Sequence, residues 1–425
     1  MKRWPLVAAG IVIAVGVAGA IAYASRSGGP VAPGIDRPAD EQGVTPDSVA
    51  AVAGASNHFA YDLYGKLRSE PGNIFFSPYS ISNCLAMVFE GAAGSTANEM
   101  QDVFRFPEDA LLRQSGFAAL HNRLNLEDAE YELRVANGLW AQQGFSFLPS
   151  YMDTLSGRYA ASAEQASFQQ DPEGERARIN DWVADRTAGK IPELFPPKSI
   201  NPLTRLVLAN AVYFKGKWVL PFDEARTQDG NFHLEDGGTA QVPMMSRGAD
   251  DAGYAESGDA QILHLPYEGE NLEMTIVLPK QGKTLAGVEA GLISGALDRT
   301  LNSNAHAEVA VTIPRCKVET SYTLNDTLEA MGMPTAFSDT ADFSGMTGKR
   351  DLFISLVVHK AYVSVDEEGT EAAAATGAVM ELTAAPADPP VIFRADHPFL
   401  FLIRYSPPKE QSLILFMGRV TDPGA

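Results

Sequence analysis

Six short segments after residue 200 constrain the fold of this chain more than any other feature. They are rich in β-branched and aromatic residues and are bounded by proline, glycine or charge: TRLVLANAVYFKG, LEMTIVLP, HAEVAVTIP, LFISLVVHKAYVSV, HPFLFLIRY and SLILFMGRV. Several are apolar enough along their length to be strands buried on both faces of a sheet. Residues 48–67 and 80–104 instead carry apolar residues at helical spacing. Helices first and strands later predict an α+β domain built around large sheets.

The composition is that of a folded protein without a surface for polyanions. At 425 residues, with 45% apolar and 20% charged residues, the chain fits one large domain or two smaller ones. Its formal net charge of -20 argues against nucleic acid or an anionic membrane surface as a partner, because both require a positive field.

The N-terminus predicts export. Lys2 and Arg3 precede an uncharged run from Leu6 to Ala24, which is typical of a signal peptide. Small residues before Ser25 offer a cleavage site. The same run approaches the roughly 20 apolar residues that span a bilayer, so it could instead remain as a membrane anchor. Both outcomes stay open at this point.

The predicted domain boundaries follow from this pattern. Residues 1–24 are assigned to the signal or anchor, with residues 5–24 as the membrane segment, and residues 25–46 have the glycine, proline and polar content of a flexible tether. The folded domain is predicted to span residues 47–425. The protein would be secreted or periplasmic, or held at the membrane by its N-terminus.

Motifs of an enzyme or a metal site are missing from the sequence. There is no Gly-x-Ser-x-Gly, no His-Glu-x-x-His, and no Gly-x-Gly-x-x-Gly after a predicted strand, and the seven histidines show no metal-ligand spacing. Cys84 and Cys316 are either two buried thiols or, since export would permit it, a disulfide. The sequence therefore indicates neither a hydrolase nor a metalloenzyme, and it predicts no cofactor and no metal.

The segment DEEGTEAAAATGAVMELTAAPADPP, residues 366–390, is unusual in a globular sequence. A tether would not contain Val379, Met380 and Leu382, and a helix would be marginal between nearby glycines and prolines. As a strand, the segment from Thr370 to Leu382 would have one uncharged face and would carry its two glutamates on the other face. It could then enter a sheet, although alanine is a poor strand former and something other than propensity would have to favour entry.

These residues carry a resemblance to a known family. DEEGTEAAAAT, ADHPFLFLIR and LFMGRV resemble the reactive loop and C-terminal region of serpins, the serine protease inhibitors. NIFFSPYSISNCLAMVFEGAAGSTANEM, INDWVADRTAGKI, TRLVLANAVYFKGKW and VVHKAYVSVDEEGT resemble further serpin motifs in the family's order. The resemblance covers residues 47–422 and implies an α+β serpin fold of three sheets and eight or nine helices, a monomer, and an inhibitor instead of an enzyme.

The resemblance also implies a mechanism. A target serine protease attacks the exposed loop at about residues 367–390 and forms an acyl-enzyme. The N-terminal arm of the cut loop then inserts into the central sheet, which is the serpin form of strand addition, and holds the protease in a covalent 1:1 complex. The alternatives are a non-inhibitory serpin that acts as a binding or carrier protein, and an inhibitor of cysteine proteases, which also pass through an acyl intermediate.

The reactive bond is placed by similarity to plant inhibitors of the family. Where those inhibitors carry the sequence LRSAP, this chain carries LTAAP. This alignment implies cleavage at Thr383–Ala384, with Glu381, Leu382 and Ala385 as further specificity residues. A small, uncharged Thr383 favours an elastase-like or subtilisin-like protease. A shift of one residue would place the cut after Leu382, which suits a chymotrypsin-like protease, or after Ala384.

Three further groups of residues are carried over from the family by position. The hinge of the loop comprises Glu367, Gly369, Thr370, Ala372, Ala373, Ala374 and Ala375. The polar cluster at which the sheet opens, called the shutter, comprises Ser77, Ser80, Asn210 and His359. The breach, where insertion begins, comprises Trp218, Arg315 and Glu367, the last two as an ion pair.

Overall fold

The computed structural model of the chain describes residues 38–125, 130–269, 271–370 and 389–424. Within them there are ten α-helices: α1 (Pro46–Leu67), α2 (Pro78–Phe89), α3 (Gly94–Phe104), α4 (Ala110–Leu124), α5 (Pro149–Arg158), α6 (Pro172–Arg186), α7 (Leu285–Ile293), α8 (Asp298–Leu301), α9 (Asn325–Met331) and α10 (Ser344–Thr347). The count exceeds the expected eight or nine, and both α8 and α10 are single turns of four residues.

The same residues form fifteen strands: β1 (Ile74–Phe76), β2 (Tyr131–Gln142), β3 (Ala163–Ala166), β4 (Leu206–Lys217), β5 (Gln228–His233), β6 (Thr239–Glu256), β7 (Ala260–Pro266), β8 (Leu272–Pro279), β9 (His306–Pro314), β10 (Cys316–Thr323), β11 (Ile354–Val365), β12 (Gly369–Thr370), β13 (Val391–Arg394), β14 (Phe399–Tyr405) and β15 (Leu413–Val420). All six segments predicted as strands from their apolar runs are strands. The α+β prediction is therefore confirmed.

One sheet has six strands in the order β10-β11-β12-β4-β2-β3. β4 and β11 run parallel and pair directly from Leu206 with Ile354 to Tyr213 with Tyr362. Beyond that stretch β12 lies between them and is antiparallel to both. The sheet is thus closed along most of the β4–β11 junction and already parted at one end.

Both faces of this sheet are covered, which explains the continuous apolar character of β4. Its even-numbered residues Leu206, Leu208, Val212 and Phe214 belong to the main core with α1 and α2. Its odd-numbered residues Val207, Ala209 and Ala211 belong to a second core with α6. Side chains alternate between faces along a strand, so one strand serves two cores.

The other sheet has nine strands in the order β1-β15-β14-β8-β7-β6-β9-β13, with β5 also paired to β6. The resemblance implied three sheets, and the difference arises from the 18-residue strand β6. A register shift between Arg247 and Asp250 divides the pairing of β6 with β9 into two parts. Beyond its pairing with β5 and β9, β6 continues to pair with β7 from Gly253 to Glu256, so two expected sheets are joined into one.

The folded domain begins before α1. Ala39 is buried and exchanges hydrogen bonds with the side chain of Asn122, and the N–H of Asp40 donates to the carbonyl of Gly157 at 2.6 Å. Residues 38–45 of the predicted tether therefore lie against the domain. The rest of that tether and the signal, residues 1–37, lie outside the described residues.

Helix α1 begins at Pro46, which is the last residue of the predicted tether. Thr45 accepts a hydrogen bond from the N–H of Ser48, the Ser48 hydroxyl bonds back to Thr45, and Pro46 occupies the first turn. None of the helices within the described ranges has the length and apolar character that crossing a bilayer requires.

Candidate functional site

The unusual segment enters the six-stranded sheet at its first residues. Gly369 pairs with Lys217, and Thr370 pairs with Gly216 on one side and Val365 on the other. Of the predicted hinge, Glu367, Gly369 and Thr370 are described. The remaining hinge residues, the predicted reactive bond and its neighbours lie outside the described residues: Ala372, Ala373, Ala374, Ala375, Glu381, Leu382, Thr383, Ala384 and Ala385.

Gly369 is required by the closeness of β4. A Cβ atom at this position would lie 2.0 Å from the carbonyl oxygen of Gly216 and 2.7 Å from the Cα of Lys217. Any side chain would therefore push the two strands apart. A glycine at this position allows the chain to turn out of β11 and back into the sheet within a few residues.

Glu367 anchors this turn through an ion pair. Its two carboxylate oxygens accept hydrogen bonds from Nε of Arg315 at 2.8 and 2.7 Å, and it also accepts from the hydroxyl of Thr227. Burial alone would raise the pKa of Glu367, but the hydrogen bonds from Arg315 and Thr227 outweigh it and hold the pKa below its usual value. The Glu367 side chain is 3% exposed and that of Arg315 is 44% exposed, so one end of the pair faces solvent.

Trp218 holds the backbone of the same turn. Its indole Nε1 donates to the carbonyl of Asp366 at 3.0 Å, and its backbone N–H donates to the carbonyl of Glu368 at 2.8 Å. Its ring stacks on Tyr267, with centroids 4.5 Å apart. The predicted breach residues Trp218, Arg315 and Glu367 are thus in one cluster around the first inserted residues.

A row of polar side chains crosses the sheet below this point. Asn137 of β2, Asn210 of β4 and His359 of β11 are in register. The Asn210 amide donates to Oγ of Ser80 at 2.6 Å and to Oδ1 of Asn137, and the Ser80 hydroxyl donates to Oδ1 of Asn137 at 3.2 Å. The row joins the strands to the start of α2.

His359 closes the row. The backbone N–H of Ser77 donates to Nε2 of His359 at 3.1 Å, so Nε2 is an acceptor. The ring proton is therefore on Nδ1, which donates a hydrogen bond to Oδ1 of Asn210. The hydroxyl of Ser77 accepts from the N–H of Ser80 at 3.2 Å and caps α2. All four predicted shutter residues therefore lie in one hydrogen-bonded cluster.

The environment keeps His359 neutral. The ring is fully buried, and burial lowers the pKa of His359 to about 3, against a smaller opposing effect of Asn210. A proton on Nε2 would also remove the acceptor of the Ser77 N–H. Parting β4 from β11 must break the bond between Asn210 and His359, since each strand supplies one partner.

Three residues of the site were not predicted. Asn137 lies in β2, a strand whose mixed polar sequence YELRVANGLWAQ has no continuous apolar run. Thr227 and Tyr267 come from elements of the other sheet and its connections. An asparagine between apolar residues in RVANGLW is a possible signal for Asn137, whereas only the tertiary fold brings in Thr227 and Tyr267.

The two cysteines take no part in this cluster. Cys84 and Cys316 are both buried and free, so the first of the two alternatives holds. Burial raises the pKa of each thiol to about 12. In the described parts of the chain, no three metal-ligating side chains come close enough to hold an ion.

Comparison with known proteins matches this geometry to one family. The family model described as "Serpin (serine protease inhibitor)" matches residues 54–423. A serpin-like protein of Thermococcus kodakarensis is 42% identical over 88% of this chain and 86% of its own length. The leukocyte elastase inhibitor of Bos taurus is 42% identical over 88% of this chain and 99% of its own length. The crystal structure of Serpin48 from the insect Tenebrio molitor superimposes with a TM-score of 0.78 at 33% identity, covering 87% of this chain and 98% of that one.

Proposed function

The chain belongs to the serpin family of serine protease inhibitors and is not an enzyme, and from this premise we propose that it traps its target by loop insertion. The target protease cuts the loop once, at Thr383–Ala384, and forms an acyl-enzyme with Thr383. The arm from Thr370 onward then inserts between β4 and β11. A covalent 1:1 complex with a monomeric inhibitor results.

The observation that carries this proposal is the position of Gly369 and Thr370. They already occupy the first places between β4 and β11, and they run antiparallel to both strands. Continued insertion needs only the separation of the parallel β4–β11 junction. Successive inserted residues would gain backbone hydrogen bonds alternately from the two neighbouring strands.

The register of Gly369 and Thr370 supports insertion of the rest of the arm. Because Thr370 pairs with Gly216, continuing the antiparallel register would place Thr376 opposite Asn210. The even-numbered, uncharged face of the loop would then meet the main core, and Thr376 would supply a hydroxyl to the polar row. Fourteen residues from Thr370 to Thr383 would form a strand about 46 Å long at roughly 3.3 Å each.

The same register accounts for the two glutamates. Glu371 would come opposite Lys215, and Glu381 would come opposite Arg205. Opposite charges that face each other across strands stabilise a sheet modestly, by about 0.2–1 kcal/mol. The charged face of the loop is therefore suited to the odd-numbered face of β4.

Trapping would follow from displacement of the attached protease. A strand of this length would carry the acyl-enzyme far from its docking position. Distortion of the protease's triad and oxyanion hole would stop deacylation, because these groups work only when held in place. A small, uncharged Thr383 favours elastase-like or subtilisin-like enzymes, and Glu381 would disfavour proteases with an acidic rim.

The experiment mixes residues 38–425 separately with pancreatic elastase, subtilisin, chymotrypsin and the cysteine protease papain. We expect a complex that survives denaturing electrophoresis with elastase or subtilisin, and a C-terminal fragment that begins at Ala384. A fragment that begins at Thr383 or Ala385 would move the bond by one residue. Cleavage by all four without any complex or gain in thermal stability would contradict trapping and favour a binding or carrier function.

We also propose that residues 1–24 direct export. The full chain, expressed in a bacterial host, should reach the periplasm or the membrane, while a variant without residues 1–24 should stay in the cytoplasm. An N-terminus at Ser25 would indicate cleavage, and an intact chain in the membrane fraction would indicate an anchor. Intact chain in the cytoplasm would contradict the proposal.

A further inference from the structure

We infer that Tyr267 is a positioning residue for loop insertion, whose hydroxyl holds Thr370 in the sheet and thereby raises the share of protease that is trapped. The inference rests on the proposed function, since it concerns the step that competes with release of the protease. It concerns a residue outside the predicted hinge, shutter and breach.

Tyr267 reaches the loop from the other sheet. It directly follows β7 and forms an isolated bridge with Trp218. Its hydroxyl lies 2.7 Å from Oγ1 of Thr370, and both residues are buried, at 2% and 0% exposure. Among the described residues, Tyr267 is the one hydrogen-bond partner of the Thr370 hydroxyl.

The ring of Tyr267 is fixed on two sides. Trp218 stacks on it, and Phe214 of β4 meets it edge to face with centroids 5.1 Å apart. The hydroxyl is therefore held at one point, directly beside the gap between β4 and β11. A side chain that is locked by packing can select one position of a mobile partner without a further loss of entropy.

Loss of this hydroxyl would penalise the seated hinge specifically. With phenylalanine at position 267, the ring packing remains while the Thr370 hydroxyl is left buried without its partner. A buried polar group without a partner is costly, whereas replacement of both partners by apolar groups of similar shape is close to neutral. The two single variants should therefore behave worse than the double variant.

The seated hinge matters because two rates compete after cleavage. Insertion traps the acyl-enzyme, and hydrolysis releases the protease with a spent inhibitor. Starting a strand is less favourable than extending it, just as the first turn of a helix costs more than each later residue. A strand whose first two residues are already paired has passed that step. A hinge that leaves the sheet more often would insert more slowly and lose more inhibitor to hydrolysis.

The test measures how many inhibitor molecules are consumed for each protease inactivated, with pancreatic elastase and subtilisin as probes. The variants are Tyr267→Phe, Thr370→Val and the double variant. We expect the excess over one inhibitor per protease to rise at least about fivefold in each single variant, which corresponds to one typical buried hydrogen bond. The double variant should lie closer to the parent than either single variant.

Tyr151→Phe is the matched control. Tyr151 is equally buried, and its hydroxyl donates to the carbonyl of Met87 at 3.0 Å, away from the loop. Its excess consumption should stay within twofold of the parent. A similar rise in this control, or additive effects in the double variant, would overturn the inference, because either result points to general loss of packing.

A second readout uses the free, uncleaved protein. Hydrogen exchange of the peptide that covers residues 366–370 should accelerate at least fivefold in Tyr267→Phe, while residues 354–363 of β11 keep their rates. Unchanged exchange would overturn the inference. If the parent traps no protease but this exchange responds, the proposed function fails and the role of Tyr267 in seating the hinge stands.

Discussion

Acidification should weaken the fold through His359, and the size of the effect follows from its burial. The ring is fully buried, and its pKa is lowered to about 3, whereas an exposed histidine titrates near 6.5. As the pH falls below 6.5, the unfolded chain binds a proton at this position and the folded chain does not. The stability contributed by neutral His359 is therefore complete above pH 6.5 and is lost progressively between pH 6.5 and 3.

The expected loss between pH 7 and pH 5 is about 2 kcal/mol, since each pH unit below 6.5 costs about 1.4 kcal/mol. The lowered pKa of Glu367 matters only below about pH 4.5, which lies outside this window. The variant His359→Gln provides the comparison. Its amide can accept from the Ser77 N–H and donate to Asn210, yet it does not titrate.

The assay is urea unfolding followed by far-UV circular dichroism at pH 7 and at pH 5. The parent should lose about 2 kcal/mol more than the glutamine variant over this range. The other histidines are common to both proteins and cancel in the difference. Equal losses in parent and variant would refute the argument that His359 is held neutral by its surroundings.

Three further outcomes are expected. Arg315→Met should lower the free energy of unfolding by about 1 kcal/mol, because buried Glu367 loses a partner that is itself partly screened by solvent. The control Arg226→Met removes an exposed arginine and should change the free energy of unfolding by less than about 0.5 kcal/mol. Equal effects of the two substitutions would show that the breach pair has no special role. Glu381→Arg should raise inhibitor consumption with elastase, and adding Arg205→Glu should reverse the rise; failure of this reversal would contradict the proposed register. Neither cysteine should react with a thiol reagent in the native protein, whereas both should react in denaturant, and rapid native labelling would contradict their burial and raised pKa.

The sequence predicted strands that contain a run of apolar residues and missed several strands of more mixed composition. β4, β14 and β15 are mostly apolar because both of their faces are buried along nearly their whole length. β2 is partly exposed over its first five residues and becomes buried only later, so it shows neither alternation nor a continuous apolar run. β6 pairs with β9 as far as Gly253 and with β7 from Gly253 to Glu256, and a local pattern does not reveal this change of partner.

The same limit applies to the site. Ser77, Ser80, Asn210 and His359 were predicted by resemblance to a family, and no spacing in the sequence indicates that they meet. Asn137 belongs to the same cluster, but its role depends on the register of β2 against β4. Tyr267 depends on the packing of one sheet against the other. Such contacts are set by tertiary structure, so single-sequence patterns do not contain them.

The last three strands of the chain give the loop a further property. β13 pairs with β9, β14 pairs with β8, and β15 pairs with β1. The three strands after residue 390 are therefore hydrogen-bonded to strands that precede the loop. A cut in the loop would therefore turn one chain into a two-chain assembly without releasing either piece. The spent inhibitor would migrate as a single particle in native conditions, and only a denaturant would reveal that its C-terminal piece is a separate subunit.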